Sequence, residues 1–369
     1  MANVLTKMGS YPEQDVTFLL KDLSAIEIEK STEERERSIQ GGAHYSEMLP
    51  IEYKPTASYM TLFYQSLEES KHKVAEAVAI VAEQIVKKRG FNTVLCSLAR
   101  AGTPIGVLIK RYIRKTYGLE LPHYSISIIR DRGIDVNALH YILKEHPGYE
   151  IAFIDGWTGK GAISKELQKA VVDFEQAYGI RLSSELAVLA DPGYCTDVYG
   201  TREDFLIPSA CLNSTVSGLV SRTVLNNQWI NADDFHGAKY YEELLDEDVS
   251  NLYVDTIEKA FSNLGPHVKK QAEDILKAET TADWRGMRSI EAIGQEFQIE
   301  NTHLIKPGVG ETTRVLLRRV PWKILIQPGS QDQLKHILLL AEDRGVPVIE
   351  YANMSYTCCG LIRPMEQSS

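Results

Sequence analysis

The sequence lacks the features of a membrane or secreted protein. No run of eighteen apolar residues occurs, so no membrane-spanning helix is expected. Residues 1–4 include no basic region followed by an apolar stretch, which argues against a signal peptide. Five cysteines, an odd number in a chain of 369 residues, do not form a disulfide framework. We therefore expect a cytoplasmic protein.

An excess of basic residues is also absent. Lys and Arg total 40 against 50 Asp and Glu, which gives a net charge of −10 and a pI of about 5.5. This balance argues against non-specific binding of nucleic acid by the protein as a whole. With 44% hydrophobic residues the chain can bury large cores, and its length indicates two or three domains.

The most informative stretch is residues 151–166, IAFIDGWTGKGAISKE. Four apolar residues lead into Asp155, a glycine-punctuated loop follows, and apolar positions then recur at helical spacing. A strand, a glycine-rich turn and a helix place unpaired backbone N–H groups at the positive end of a helix dipole, which favours phosphate. The loop matches neither the Walker A spacing nor GxGxxG. A plain tight turn is the alternative.

A second loop of this kind lies one strand–helix unit earlier. Residues 93–97 predict a strand, and the loop that follows contains Arg100 and Gly102 before Thr103 and Pro104 open a helix. Both loops then lie at one edge of a parallel sheet, where α/β proteins bind ligands. An arginine beside bare backbone N–H groups suits a pyrophosphate.

These two units resemble the pyrophosphate and PRPP loops of type I phosphoribosyltransferases. In that family the PRPP loop usually carries two adjacent acids, whereas here Gly156 follows Asp155. The strings at 42–50 and 217–222 resemble the phosphoribosyltransferase-like proteins of bacterial tellurite-resistance and stress gene clusters. Some members of that group carry the label cysteine protease StiP.

The resemblance implies an α/β, phosphoribosyltransferase-like parallel sheet with helices. It implies an enzyme that binds PRPP, or a ribose-phosphate nucleotide, with accompanying Mg²⁺, and acts on a nucleobase-like or RNA-linked acceptor in a stress response. Arg100 would grip pyrophosphate, Asp155 the ribose hydroxyls, and Arg130 and Arg132 would close over the leaving group. A solvated turn paired with Asp131 is the alternative for these two arginines. The implied phosphate-binding positions are Ala101, Gly102, Thr103, Thr158, Gly159, Lys160 and Gly161.

The cysteine beside the first loop offers a different chemistry. Cys96 ends the predicted strand just before a glycine-containing loop and helix, where a helix N-terminus lowers a thiol pKa. A nucleophilic cysteine needs a base, for which His44 and His140 are candidates. A cysteine peptidase using Cys96 is therefore the alternative function, and a small buried apolar residue is the structural alternative. Cys195 and Cys211 are interpreted as structural.

Residues 300–369 predict a separate small α/β module, with strands at 323–327 and 346–351 and a helix at 331–344. Residues 306–314 form a glycine loop that enters a helix, in a locally basic segment that is a signal for nucleic acid. This segment resembles the RNA-binding fold of Pelota and the kink-turn-binding ribosomal proteins, and a small cap on the catalytic domain is the alternative. The resemblance implies RNA contacts from Lys306, Gly308, Gly310, Glu311, Thr313, Arg314 and Arg318, with Gly310 in place of the usual Asn.

Ser217, Ser221 and Arg222 form the last candidate site. Hydroxyls, a glycine and an arginine this close together suit a second anionic group, and a capped helix start is the alternative.

We divide the chain into an N-terminal extension (1–60), a phosphoribosyltransferase-like domain (61–222), a mainly helical segment (223–299) and the Pelota-like module (300–369). No spacing typical of a resident metal site occurs. A homo-oligomer is expected. A third function is a non-catalytic, nucleotide-sensing RNA-binding protein, favoured by the missing second acid and by Gly310.

Overall fold

A computed structural model describes residues 7–278 and 282–363 of the protein. Helices and strands alternate along the first two thirds of the chain, which confirms the predicted α/β class. The helices are α1 Thr32–Gln40, α2 Ala57–Arg89, α3 Gly102–Tyr117, α4 Val136–Glu145, α5 Ala162–Tyr178, α6 Ser250–Ala260, α7 His267–Lys277, α8 Arg285–Glu296, α9 Val309–Arg318 and α10 Lys335–Asp343. The strands are β1 Thr17–Phe18, β2 Lys21–Asp22, β3 Glu29–Lys30, β4 Leu49–Pro50, β5 Thr93–Leu98, β6 His123–Ile126, β7 Ile128–Ile129, β8 Gly133–Ile134, β9 Glu150–Trp157, β10 Leu186–Ala190, β11 Val198–Thr201, β12 Gly237–Ala238, β13 Ile305–Pro307, β14 Pro321–Ile326, β15 Val348–Glu350 and β16 Cys358–Ile362.

The main sheet contains six parallel strands in the order β1-β6-β5-β9-β10-β11. Its central strands are almost continuously apolar because helices cover both faces of the sheet. All the loops that follow these strands therefore emerge at one edge, the edge where open parallel sheets bind ligands.

Two hydrophobic cores lie on opposite faces of this sheet. Side chains from α2, α3, α6 and α7 share one core with Leu95 and Ile154 of the central strands. Side chains from α4 and α5 share the other core with Cys96 and Phe153. Neighbouring residues of a strand point to opposite faces, so both faces of β5 and β9 are buried.

The C-terminal module has a second sheet, ordered β13-β16-β14-β15. Only the pair β14 and β15 is parallel. Helices α9 and α10 pack against this sheet through a core that includes Leu316, Ile324 and Ile337. Strands β14 and β15 confirm the two predicted strands, while the predicted helix is divided into a 3₁₀ turn, Gln331–Leu334, and α10.

The C-terminal module packs directly on the sheet edge of the α/β domain. The Tyr356 hydroxyl of the module donates to the carbonyl oxygen of Gly159 at 3.0 Å, and the backbone N–H of Gly286, in the preceding helix α8, donates to that of Gly193 at 3.1 Å. The loops after β9 and β10 therefore face the module. The proposed division at residues 60, 222 and 299 stays a prediction. Across the described ranges, no helix has the length and apolar character needed to span a bilayer.

Candidate functional site

Partly buried cations from both modules meet at the sheet edge. The α/β domain contributes Arg100, Arg130, Lys160 and Arg222, and the C-terminal module contributes Lys306 and Arg314. Because their charges act on one another, we call this group of six side chains the cationic cleft. It brings together residues predicted for the ribose-phosphate loops, the second-anion site and the RNA-binding site.

Shifts in pKa show that these charges affect one another. Burial, together with the nearby charge of Arg314, lowers the pKa of the Arg100 guanidinium. Burial, together with Lys306 and Arg130, lowers the pKa of Lys160 to about 8. Burial also lowers the pKa of Arg222 to about 10, and Arg100 and Arg130 lower it further. The cluster is thus under-neutralised, a condition that an anion would relieve.

The loop between β5 and α3 brings Arg100 to this edge. Its guanidinium donates to the carbonyl oxygen of Val220 at 3.3 Å. Gly102 opens α3 directly against β9, and a Cβ there would collide with the backbone of Ile154. Thr103 is buried, with its hydroxyl 2.8 Å from that of Ser125. Thr103 and Gly102 therefore fix the position of the loop, while Arg100 supplies the charge; Ala101 immediately precedes the helix.

The loop between β9 and α5 is held by both modules. Lys160 Nζ donates to the carbonyl oxygen of Thr302 at 2.5 Å. The Thr158 hydroxyl is buried and donates to Asp191. Gly161 has a φ of +77° in the turn that begins α5.

Asp155 is the carboxyl group nearest the end of β9. Its Oδ1 accepts the backbone N–H of Gly156 at 2.7 Å. Burial raises the pKa of this carboxyl to about 7. Among the described residues, no cluster of three or more His, Cys, Asp or Glu side chains is arranged to hold a metal ion.

An aromatic ring that the sequence did not single out organises one side of the cleft. The guanidinium groups of Arg130 and Arg222 each lie 5.2 Å from the centroid of Tyr45. Arg222 also donates to the carbonyl oxygen of Tyr45 at 2.8 Å, and the Tyr45 hydroxyl accepts the backbone N–H of Arg130 at 3.0 Å. Tyr45 lies within residues 42–50, and the sequence signal for this contact is its aromatic ring, because an aromatic face attracts guanidinium groups.

Three other residues of the predicted sites use their polar groups in contacts with neighbouring protein groups. Arg132 is exposed and pairs with Glu47 at 2.9 Å, rather than closing over the cleft. Ser217 and Ser221 are buried, and their hydroxyls donate to the backbone at 2.9 and 2.7 Å. They shape the neighbourhood of Arg222 without presenting free hydroxyls.

Cys96 lies inside the sheet, with none of its surface exposed. Burial raises its thiol pKa far above the usual value. His44 bonds with Ser46, and His140 packs against aromatic rings of α5, so each proposed base has other neighbours. The geometry gives no support to Cys96 as a nucleophile, because a substrate does not reach it.

Cys195 occupies a different position, in the loop after β10. Its Sγ lies 3.3 Å from the carbonyl oxygen of Gly193 and beside the Gly159 loop. Burial raises its thiol pKa to about 11, while the Thr158 side chain and Lys165 act in the opposite direction. Cysteines 358 and 359 are buried in the C-terminal sheet.

The predicted RNA-binding loop faces the α/β domain. Arg314 Nε donates to the carbonyl oxygen of Ala210 at 2.9 Å, and its guanidinium lies 5.2 Å from the ring centroid of Trp157. Arg314 also pairs with Glu311 at 3.2 Å. Thr313 is buried and donates to its own helix. The remaining predicted contacts are Lys306 on β13, Gly308 before α9, Gly310 beside the α/β domain, and Arg318, whose side chain lies outside the described residues.

The fold and this cleft define an α/β domain joined to an RNA-binding-type module, and comparisons with known proteins agree. The family model described as "Tellurite-like stress resistance cysteine protease StiP" matches residues 9–258, and the model of the PELOTA RNA binding domain matches residues 284–364. A relative named "Cysteine protease StiP", from Acinetobacter baylyi (strain ATCC 33305 / BD413 / ADP1), is 36% identical over 353 residues, which are 92% of this chain and 89% of the relative. The chain belongs to the StiP family.

The predicted phosphoribosyltransferase function is wrong. The matching family and the relative are both named as cysteine proteases, which corrects the transferase, PRPP and glycosyltransferase assignments and favours the peptidase alternative. Gly156, which stands where the phosphoribosyltransferase family usually has its second acid, is consistent with this correction. The Mg²⁺ expected with that substrate stays a prediction.

Proposed function

We propose that this StiP-family protein binds RNA across the cationic cleft, as part of its action in a stress response. The observation that carries the proposal is the convergence of six partly buried cations from two modules, on a chain whose net charge is −10. Phosphate contacts dominate the affinity of proteins for nucleic acid. The match to the PELOTA RNA binding domain supports RNA as the polyanion.

The acids near the cleft leave most of this positive charge uncompensated. Glu311 is paired with Arg314. The charge of Glu52 acts on Arg100, so two carboxylates stand against six cations. Guanidinium groups bind phosphate oxygens in a bidentate manner, and Arg130 and Arg222 are already oriented by the ring of Tyr45.

Substituting Lys306 and Arg130 tests this function. We expect Lys306→Gln and Arg130→Gln each to weaken the binding of a fluorescein-labelled single-stranded RNA, by about three- to tenfold in anisotropy titrations, since each removes a phosphate contact. Arg181→Gln is the matched control, because Arg181 is exposed beyond the far end of α5. Equal affinity in all three variants and the wild type would count against the cleft.

The family name favours a second candidate function, peptide hydrolysis by a cysteine. Both thiols are buried, with Cys96 0% and Cys195 3% exposed. We propose Cys195 because it lies in the loop after β10, beside the Gly159 loop at the ligand-binding edge, whereas Cys96 lies inside strand β5. Cys195→Ser should abolish both peptidase activity and labelling by a thiol-directed probe, whereas Cys96→Ser should retain them. The opposite pattern would restore Cys96 as the nucleophile.

We also propose that the α/β domain has the phosphoribosyltransferase-like arrangement of loops, used here to hold phosphate without transferring ribose. Its support is the adjacency of β5 and β9, whose following loops carry Arg100 and Lys160 to one edge. The homo-oligomer and the cytoplasmic location stay predictions.

A further inference from the structure

A carboxylate from the α/β domain occupies the N-terminus of α9. Asp204 follows β11, whereas Val309 and Thr357 belong to the C-terminal module. Asp204 Oδ1 accepts the backbone N–H of Val309 at 2.8 Å, and Oδ2 accepts that of Thr357 at 2.8 Å. The carbonyl oxygen of Asp204 also accepts the Thr357 hydroxyl at 3.2 Å. One acidic residue thus joins the two modules.

The shape of the RNA-binding loop fits this carboxylate closely. Gly308, the residue before α9, has a φ of +89°, and a Cβ there would lie 3.1 Å from Asp204 Oδ1. Up to residue 363, where the described part of the module ends, no side chain of the module caps α9. The first N–H groups of a helix have no partner within the helix and carry partial positive charge, so they attract anions. Asp204 supplies that anion from the other module.

Burial at this position disfavours the ionised form of the Asp204 carboxyl group. Burial raises the pKa of Asp204 to about 6, although the backbone N–H groups of Val309, Thr357 and Cys358 act to lower it. Among the described residues, no lysine, arginine or histidine forms an ion pair with Asp204. Its two oxygens therefore bind backbone N–H groups alone, as two oxygens of a phosphodiester would.

Other contacts hold the same closed arrangement around the cleft. Arg314 donates to the carbonyl oxygen of Ala210, and Lys160 donates to that of Thr302. Arg314 and Lys160 both belong to the cationic cleft, and each donates a hydrogen bond to the opposite module. A polyanion that binds here competes with internal acceptors as well as with water.

We propose that Asp204 is an internal substitute for an RNA phosphate, which keeps the RNA-binding loop closed until an RNA phosphate displaces it from the backbone N–H groups of Val309 and Thr357. This inference rests on the proposed RNA function. Asp204 and an RNA phosphate then compete for the same two backbone donors, within the arrangement of modules that also forms the cationic cleft.

The test compares Asp204→Asn with Glu203→Gln, both isosteric. The asparagine keeps the shape and one accepting oxygen but loses the charge, and its amide group faces an N–H donor. Glu203 is exposed and pairs with Lys73, which makes its substitution the matched control. Two quantities are measured: the affinity for a labelled single-stranded RNA, and hydrogen exchange in peptides covering Val309 and Thr357.

We expect Asp204→Asn to exchange faster in both peptides and to bind RNA about tenfold more tightly, with Glu203→Gln unchanged. Faster exchange with equal or weaker RNA binding would overturn the inference, as would unchanged exchange. If neither wild type nor variant binds RNA while exchange accelerates, the proposed RNA function fails and Asp204 is only a structural clasp. Tight binding by the variant alone keeps the inference.

Discussion

Replacing Asp155 with asparagine removes a carboxyl group that the fold makes costly to ionise. The asparagine oxygen can still accept the backbone N–H of Gly156, which now lies 2.7 Å from Asp155 Oδ1. Shape and hydrogen bond are therefore kept, and only the charge changes. Burial is the cause of the cost, since it raises the pKa of Asp155 from 3.8 to about 7.

The magnitude follows from proton linkage. A shift of about three pKa units, at about 1.4 kcal/mol for each unit, destabilises the folded protein by up to about 4 kcal/mol once the carboxyl is ionised in both states. The folded state binds the proton more tightly, so the cost is absent below about pH 4, grows between about pH 4 and 7, and is constant above that. At about pH 5 it is about 1 to 2 kcal/mol.

Urea denaturation at about pH 5 and about pH 8.5 measures this difference. We expect Asp155→Asn to raise the free energy of unfolding at both values, and by about 2 to 3 kcal/mol more at the higher pH. Asp173→Asn on α5 is the control, because this carboxylate is exposed. A gain that is the same at both pH values, or a loss of stability at about pH 8.5, would refute the reasoning.

Three other predictions concern stability and binding. Gly102→Ala should lower the free energy of unfolding by about 1 to 3 kcal/mol in urea titrations, because a Cβ collides with the backbone of β9; a neutral result would contradict the packing there. Arg111→Met should cost about 3 to 5 kcal/mol, because it leaves buried Asp15 without its partner at 2.5 Å; a loss under about 1 kcal/mol would contradict this. RNA affinity should fall as the pH rises from about 7 to 9, because Lys160 loses its proton near pH 8; anisotropy titrations of Lys160→Met should show a smaller fall, and an equal one would disprove its role.

The strand–loop–helix units were predictable because their signals are local. Residues 93–97 and 151–154 are mainly apolar and lead into glycine-containing loops. They form most of β5 and half of β9, which continues through Trp157 into the segment predicted as a loop. The two strands in the C-terminal module were found for the same reason. Convergence of both central loops at one edge then follows from a parallel sheet.

The burial of Cys96 was not predictable from its position at a strand end. A strand that is covered on one face leaves alternate residues exposed, and only the packing of helices on both faces buries Cys96 completely. The uninterrupted apolar run Val94, Leu95 and Cys96 was the available signal, because alternating exposure would place a polar residue within it. It speaks against a reactive thiol at this position.

The role of Asp204 also lay beyond the sequence. Its partners, Val309 and Thr357, are more than one hundred residues away, and no motif links a carboxylate to a glycine loop in another module. The transferase error has a related origin. Glycine-rich loops at a sheet edge indicate phosphate, but the chemistry performed there depends on further residues such as the missing second acid at Gly156.

The salt dependence of RNA affinity decides whether the cationic cleft binds RNA. If the six cations each contact a phosphate, the logarithm of affinity falls against the logarithm of salt concentration with a slope of about −4 for single-stranded RNA. The double variant Arg100→Gln/Lys306→Gln should flatten this slope by about 1.4. A wild-type slope near zero, or one that the double variant leaves unchanged, would show that RNA does not bind at this cleft.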